Sequence, residues 1–379
     1  MKKNPRPIGF GPCLALLFSC CLFAQTRSLS QVRSFIYQLD KINLEAIGST
    51  GFDLAIIDFS YDDDGETREF SSDQINALKN SSGRGKIVLS YLSIGEAEDY
   101  RFYWQPYWEP GNPAWLDAQN PDWPGNYKVH FWDPAWQAVI FQYLDKIIDS
   151  GFDGIYCDII DAYEYFQDEG RTTAAQEMVD FVASLRLHAR ARDPNFLVFV
   201  QNAAELAVAE PSYLDAVDGI GQEDAYYGYD GDGIKTPDEV TAEIEDDLKL
   251  FRDTGKLVLT VDYPFFPGAD VPVYDPLTLI KIDDAYARSQ SNGFIPYCTV
   301  RNLDFPTVNP GHEPSAVYSG AADDWPSKRQ GRESSAIRLE TGRRRADRPK
   351  DRSGETDPTG AARVRRFLFQ CRARPPLCC

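Results

Sequence analysis

The sequence predicts an α/β fold, a (β/α)8 TIM barrel formed by a single domain over residues 30–310. Eight short runs rich in β-branched and aromatic residues alternate with longer segments of helical spacing, which is the pattern of such a barrel. Several of the runs are continuously apolar, as is typical of strands that are covered on both faces. A doubly wound open sheet is the alternative, but no GxGxxG or Walker pattern supports nucleotide binding.

The predicted strands are five or six residues long. They lie near 34–38, 54–58, 86–91, 154–158, 196–201, 217–222, 257–262 and 293–297. Helices are predicted between them, most clearly at 134–151, 173–192 and 240–255, where apolar residues recur at spacings of three and four. The first of these helices starts at Pro134 and stops at Gly151, residue types that favour those two positions.

Both ends of the chain differ from this pattern. Residues 1–24 combine two Lys and one Arg with an apolar stretch of about a dozen residues, which predicts a signal peptide rather than a membrane span. We therefore expect a secreted or periplasmic protein, with lipidation at Cys20 as an alternative. Residues 311–379 are rich in Arg, Pro and Gly without an apolar period, so an Arg-rich disordered tail is predicted.

Charge is distributed unevenly along the chain. Residues 311–379 contain 15 Lys and Arg against 9 Asp and Glu, whereas the preceding residues contain 24 against 49. A body this acidic disfavours nucleic acid and anionic membrane surfaces as partners. A cationic or neutral partner fits it better.

Histidine and cysteine contents restrict the chemistry. His130, His188 and His312 are the only histidines, which argues against a Ser-His-Asp triad and against a His-rich metal site. Six of the eight cysteines lie in the leader or the tail, and Cys157 and Cys298 are predicted to be buried free thiols. We therefore predict no cofactor and no metal.

Polar side chains follow most of the predicted strands. They are Asp58, Glu96, Asp158, Gln201, Asn202, Glu223, Asp262 and Arg301. In a (β/α)8 barrel such positions lie at one rim, where functional groups are found. Acids gathered there repel one another unless something positive binds. Hydrolysis of a sugar linkage needs two carboxyl groups, one ionised and one protonated, and this rim supplies candidates for both.

Some of these acids also have structural interpretations. Asp161 contacts a ligand or caps the next helix, since Asp161 and Glu164 have the spacing of a capping box. Asp58 and Asp262 contact a ligand or bind loop amides. Asp158 lies directly on its strand, so a structural role explains it less well.

Aromatic residues concentrate in one connection. Six of the seven Trp lie within 104–136, between the third and fourth strands. This connection forms either a packed lid or a platform on which sugar rings stack. We expect most of these Trp to pack against one another and Trp136 to face the core. About two should touch ligand, and Trp132 is a candidate for such a substrate contact. Tyr37 and Tyr91, on the first and third strands, are further candidate substrate contacts.

The segment YGYDGDGIKTPDE resembles a calcium-binding loop in part. Asp230, Asp232 and Glu239 occupy ligand positions, but the first ligand position holds Gly228 and the usual apolar position holds Lys235. A turn of Gly and Asp is therefore favoured over a calcium site.

Five segments together resemble glycoside hydrolase family 114, the endo-α-1,4-polygalactosaminidase-like proteins, over about residues 34–306. They are YLSIGEAEDYR (91–101), NPDWPGNYKVHFWDPAW (120–136), GFDGIYCDIIDAYEY (151–165), QNAAEL (201–206) and DGIGQEDAYYG (218–228). The resemblance implies a (β/α)8 barrel that hydrolyses α-1,4-linked galactosamine polymers. It also implies that Asp158 is the nucleophile and Glu223 the general acid/base of a retaining reaction.

The expected partner is a cationic or neutral polysaccharide, and the acidic rim favours a cationic one. We expect a monomer that does not bind nucleic acid and does not span a membrane. The alternative from another class is a secreted carbohydrate-binding barrel without turnover, since a fold alone does not establish catalysis.

Overall fold

The computed structural model describes residues 28–63, 66–81 and 85–314. The predicted leader, residues 1–24, and the predicted tail beyond residue 314 lie outside the described residues.

The strands, in chain order, are β1 (Phe35–Gln38), β2 (Leu54–Ile57), β3 (Ser60–Asp63), β4 (Glu66–Glu69), β5 (Ile87–Ser93), β6 (Glu96–Glu98), β7 (Leu116–Gln119), β8 (Asn126–Val129), β9 (Gly154–Asp158), β10 (Leu197–Gln201), β11 (Gly219–Glu223), β12 (Leu257–Asp262) and β13 (Ile295–Cys298). The α-helices are α1 (Leu44–Ser49), α2 (Ser72–Asn80), α3 (Pro134–Asp149), α4 (Ala162–Asp168), α5 (Ala174–Arg192), α6 (Leu206–Ala209), α7 (Tyr213–Ala216), α8 (Asp238–Asp253) and α9 (Pro276–Ser291). Every predicted strand and helix is therefore present, with boundaries shifted by a few residues.

Eight of the strands form one parallel sheet in the order β1-β2-β5-β9-β10-β11-β12-β13, so each barrel strand pairs with the next one along the chain. The last strand returns to the first, since the rings of Phe35 and Tyr297 lie 5.4 Å apart and Leu39 N–H donates to the Leu303 carbonyl at 2.8 Å. The (β/α)8 prediction is confirmed. The doubly wound alternative is wrong, because the strand order never reverses.

Burial follows from this arrangement. All residues of β1, β2 and β5 are buried, which agrees with strands covered by helices outside and side chains inside. Inside the barrel, the rings of Tyr37 and Tyr156 meet at 5.4 Å. Gly221 makes room for Tyr156, because a Cβ at that position would lie 1.9 Å from the Tyr156 hydroxyl oxygen. The buried thiols Cys157 and Cys298 are free, as predicted.

The aromatic connection between β5 and α3 folds around a small antiparallel sheet of order β6-β8-β7. Trp136 is fully buried and donates its indole N–H to the Ile94 carbonyl at 2.9 Å. The Trp115 ring lies 4.9 Å from the rings of both Trp136 and Trp108. These tryptophans pack one on another, so this part of the connection is a packed lid.

No helix within the described part of the chain is both long enough and apolar enough to cross a membrane.

Candidate active site

Asp158 is the last residue of β9, and its side chain is partly exposed. The Tyr91 hydroxyl on the neighbouring strand β5 donates to Asp158 Oδ2 at 2.7 Å. Burial, followed by the negative charge of Glu223, raises the pKa of Asp158 to about 8. The carboxyl group is therefore mainly protonated at neutral pH in the free protein.

Glu223 is the last residue of β11 and is fully buried. Its Oε2 accepts hydrogen bonds from Gln201 Nε2 at 2.6 Å and Asn202 Nδ2 at 3.3 Å, and its Oε1 accepts one from the Tyr263 hydroxyl. Asn202 Oδ1 in turn accepts the Glu223 N–H at 2.9 Å. Tyr37 donates to Gln201 Oε1 at 2.7 Å and so fixes the orientation of that amide. The predicted residues of β1, β10 and β11 thus meet around one carboxylate.

The backbone turns sharply directly after these strand ends. Ile159, Asn202, Ala203 and Asp224 have positive φ angles between 53° and 59°, although none of them is glycine. Non-glycine residues rarely adopt this region, and such strain concentrates at functional sites. Three of the four directly follow Asp158, Gln201 or Glu223, so the strain lies where the candidate catalytic groups emerge.

Partly exposed acids lie together at this rim, with Asp161 interacting with both Asp158 and Glu205, and we refer to Asp158, Asp161, Glu164 and Glu205 as the acidic cluster. Burial, with the charges of Glu205 and Glu96, raises the pKa of Asp161 to about 7. Burial, with the charges of Glu205 and Asp161, raises the pKa of Glu164 to about 8. Burial also raises the pKa of Glu205.

The acidic cluster has no positive partner in the part of the chain that the structure describes. Its members form no ion pair with Lys, Arg or His there, and their contacts include hydroxyl donors, such as Tyr163 to Glu205 at 2.9 Å. Asp161 precedes α4, but its side chain makes no capping hydrogen bond, so the capping interpretation of Asp161 is wrong.

Glu96, on β6, is buried beside the acidic cluster. Its carboxylate accepts hydrogen bonds from the side-chain amides of Asn120 at 2.8 Å and Asn126 at 3.3 Å. Burial raises its pKa, and the two amides partly offset that effect. These contacts also fasten the aromatic connection to the barrel rim.

Asp58 and Asp262 both bind loop amides, which was their structural interpretation. Asp58 accepts the Ser60 N–H at 2.9 Å and pairs with Arg101 at 2.8 Å. Asp262, at the end of β12, is fully buried and accepts the N–H groups of Tyr226 and Tyr227 at 2.7 and 2.8 Å. Burial raises the pKa of Asp262 to about 7. Both acids hold loops in place, and a role in substrate binding stays a prediction.

Arg301 is buried within internal ion pairs. It donates to both oxygens of Asp224 at 2.7 and 3.2 Å, to Asp232 and, at 3.0 Å, to the Gly228 carbonyl. Its guanidinium carbon also lies 4.0 Å from the centroid of the Tyr263 ring. We predicted a substrate contact here, but the structure places its donors on protein acceptors.

The calcium-like segment is the loop that supplies some of these acceptors. Asp232 pairs with Arg301, and the turn closes through hydrogen bonds from Gly231 to Gly228 and from Ile234 to Gly231. These hydrogen bonds make the segment a turn. Within the described ranges, no group of three His, Cys, Asp or Glu is arranged to hold a metal.

Trp132 lies two residues before the start of α3 and is partly exposed. The Arg171 guanidinium lies 3.7 Å from its ring centroid, the His130 ring stacks on it at 5.0 Å, and Phe166 approaches edge-on at 4.7 Å. Since protein groups already occupy much of the ring, its role as a substrate contact stays a prediction.

A barrel with carboxyl groups at the ends of two strands is an architecture of glycoside hydrolases. The chain belongs to glycoside-hydrolase family GH114, whose model matches residues 23–315. It is therefore a glycosidase of that family.

The chain is also similar to individual proteins, and the similar solved structures share its fold. The chain is 38% identical over 282 residues to an uncharacterised protein of Deinococcus radiodurans, covering 73% of this chain and 83% of that protein. It is 36% identical over 278 residues to one of Methanocaldococcus jannaschii, covering 72% and 77%. Among solved structures, the glycoside hydrolase domain of Pseudomonas aeruginosa PelA superimposes with a TM-score of 0.55 at 16% identity, covering 73% and 98%. Aspergillus fumigatus Ega3, crystallised with galactosamine, gives 0.54 at 21%, covering 72% and 92%.

Sequence reasoning missed several residues of the site. Tyr263 directly follows Asp262, and Asp224 directly follows Glu223. Their positions next to these predicted site residues were the signal that could have identified them. Glu205 and Glu164 stand in family-like segments but not at strand ends. Their proximity to Asp158 depends on how the loops after β9 and β10 fold.

Proposed function

We propose that the protein is a secreted endo-α-1,4-polygalactosaminidase-like enzyme that cleaves α-1,4-linked galactosamine polymers. The observation that carries this proposal is the acidic cluster, which includes Asp158 and has no positive partner among the described residues. Each galactosamine unit carries an ammonium group, which would supply the missing charge. The galactosamine bound to Ega3 agrees with this substrate class.

The reaction proceeds in two steps. Glu223 donates a proton to the glycosidic oxygen while Asp158 attacks the anomeric carbon, so that the bond to the leaving sugar breaks and a glycosyl ester forms. Water then attacks the same carbon, Glu223 takes a proton from this water, and the bond to Asp158 breaks. The configuration is retained after two displacements.

The cationic substrate also prepares the nucleophile. In the free protein Asp158 has a pKa of about 8, so it is a poor nucleophile at neutral pH. An ammonium group bound at the acidic cluster would lower that pKa, because a nearby positive charge favours the ionised carboxylate. A neutral sugar would lack this effect, which links substrate charge to reactivity.

Glu223 must exchange a partner to reach the substrate, because it is fully buried. Of its two contacts to Oε2, the one from Asn202 is the longer, at 3.3 Å against 2.6 Å from Gln201. We assign Asn202 as the partner that yields, while Gln201 keeps the carboxylate oriented. Catalytic hydrogen bonds often reach their working geometry only when substrate is bound.

The place of action follows from the first 24 residues, whose pattern is that of a signal peptide. We propose that the enzyme acts outside the cytoplasm as a monomer. Size-exclusion chromatography with light scattering of the mature protein tests the oligomeric state.

The decisive experiment measures reducing-end release from α-1,4-galactosamine polymer by the wild type, Asp158→Asn and Glu223→Gln side by side. We expect release by the wild type, and a loss of at least about 1000-fold in each variant. The anomer of the first product, followed by proton NMR, tests retention. No release by any of the three proteins, with polymer binding retained, would favour the non-catalytic carbohydrate-binding barrel instead.

A further inference from the structure

Glu223 is held from two sides by groups of different origin. Gln201 and Asn202 of the β10 end donate to Oε2, whereas Tyr263, directly after β12, donates to Oε1. Tyr263 is buried, with 1% of its surface exposed. A hydroxyl donor at this place fixes the orientation of the carboxyl plane.

Tyr263 is itself held by a charged contact. The Arg301 guanidinium lies 4.0 Å above its ring, within the range of a cation–π interaction. Arg301 is fixed by the bidentate pair with Asp224 and by Asp232. A guanidinium fork bound to a carboxylate in this way has little freedom to move.

The calcium-like loop completes this arrangement. Gly233 N–H donates to the Tyr263 carbonyl at 2.7 Å, and Tyr263 N–H donates to the Tyr227 carbonyl at 3.0 Å. Gly228 has a φ of 129°, and a Cβ there would lie 1.8 Å from Asp224 Oδ1. Only glycine therefore allows the loop to approach Arg301 and Asp224 so closely.

We propose that Tyr263 is a positioning residue for Glu223, and that Arg301, clasped by Asp224 and Asp232, holds Tyr263 in place. This inference rests on the proposed role of Glu223 as the acid/base. The calcium-like loop then has a function, which is to hold Arg301 and Tyr263 in place beside the catalytic carboxyl group.

The charged and titratable groups that face Glu223 come from several elements. They are Asp158 on β9, Asp161 before α4, Asp224 after β11 and Tyr263 after β12. Among these groups, Tyr263 is the one that donates a hydrogen bond to the Glu223 carboxyl group, so its removal changes the contacts of that group directly.

The first test is a ¹³C NMR spectrum of protein labelled at the glutamate side-chain carboxyl, with the Glu223 signal identified by its loss in Glu223→Gln. In Tyr263→Phe we expect the Glu223 signal to move, because this carboxyl group loses a hydrogen-bond donor. Tyr143→Phe is the matched control, because Tyr143 is a buried tyrosine whose hydroxyl has no hydrogen-bond partner among the described residues. An unchanged Glu223 signal in Tyr263→Phe would overturn the proposal.

The second test uses two substrates. Tyr263→Phe should lower kcat on the polymer by about 10- to 100-fold with little change in KM. On an α-1,4-galactosamine oligomer with a nitrophenyl leaving group, which needs little protonation, release of nitrophenol should fall much less. Equal losses on both substrates would indicate a general structural defect and count against the proposal.

These outcomes separate the two claims. If the wild type cleaves neither substrate, the proposed function fails, and the NMR spectrum alone decides whether Tyr263 holds the Glu223 carboxyl group.

Discussion

The barrel rim contains two kinds of acid that differ in their partners. Asp224 and Asp232 form ion pairs with the buried Arg301, and we refer to this group as the Arg301 clasp. Asp58 and Glu98 form ion pairs with the buried Arg101, and we refer to this group as the Arg101 clasp. The acidic cluster has no such cation in the described residues. Burial raises the pKa values of all its members, and repulsion from neighbouring acids adds to the shift at Asp158, Asp161 and Glu164.

The difference separates structure from function at one rim. An acid whose charge is balanced inside the protein fastens a loop and gains little from a ligand. An acid whose charge is not balanced destabilises the folded state at neutral pH and favours a positive ligand. The family of this chain is one of glycosidases, and the acidic cluster is where a cationic sugar would change the energetics most.

The largest expected effect on stability comes from breaking the buried ion pairs of Arg101. Arg101→Met leaves Asp58 and Glu98 buried without their partner, so we expect the free energy of unfolding to fall by about 3–5 kcal/mol. Lys146→Met is the control, because its pair with Glu69 is exposed and contributes about 1 kcal/mol or less. Urea unfolding measures both. Equal losses in the two variants would remove the distinction between buried and exposed pairs.

A glycine beside Arg301 and Asp224 should be almost as sensitive. Gly228→Ala places a Cβ 1.8 Å from Asp224 Oδ1, at a φ of 129°. We expect a loss of about 2 kcal/mol or more, because the loop must move away from Arg301. Gly255→Ala is the control, since its φ is also positive but nothing lies within 4 Å of its Cβ. The difference between the two variants in urea unfolding isolates the contact, and similar losses would show that backbone strain alone is responsible.

The acidic cluster should make stability depend on pH. The folded-state pKa values of Asp158, Asp161 and Glu164 are about 8, 7 and 8, above the unfolded values of 3.8, 3.8 and 4.5. Their contribution is therefore fully present below about pH 4 and is lost as the pH rises through 7 to 8. We expect a lower melting temperature at pH 9 than at pH 6. In Asp161→Asn this difference should shrink, and an unchanged difference would contradict the assignment.

A single neutralisation in the acidic cluster should have the smallest effect, and it should be stabilising. Glu205→Gln removes a charge that raises the pKa values of Asp161 and Glu164, so we expect stability at pH 8 to increase by about 1 kcal/mol. The same change at pH 5 should have little effect. Destabilisation of Glu205→Gln at pH 8 would mean that its bond from Tyr163 outweighs the repulsion.

The parts of this picture that the sequence predicts depend on local patterns. Several of the strands are continuous apolar runs. Asp158 ends one predicted strand and Glu223 directly follows another, so the local sequence predicts both their place in the fold and their position at the rim. Two contacts could not be predicted from the sequence. The ion pair of Asp224 with Arg301 joins residues 77 positions apart, and the hydrogen bond of Tyr263 with Glu223 joins residues 40 positions apart. Which arginine balances which acid is decided by loop conformations that leave no periodic signal.

The most direct test of the central claim compares one polymer in two charge states. Reducing-end release by the wild type is measured on α-1,4-galactosamine polymer and on the same polymer after N-acetylation, at low and high salt. If the acidic cluster selects a cationic sugar, the unmodified polymer is cleaved at least about 10-fold faster, and this advantage decreases at high salt. Equal cleavage of both forms at every salt concentration would contradict the account.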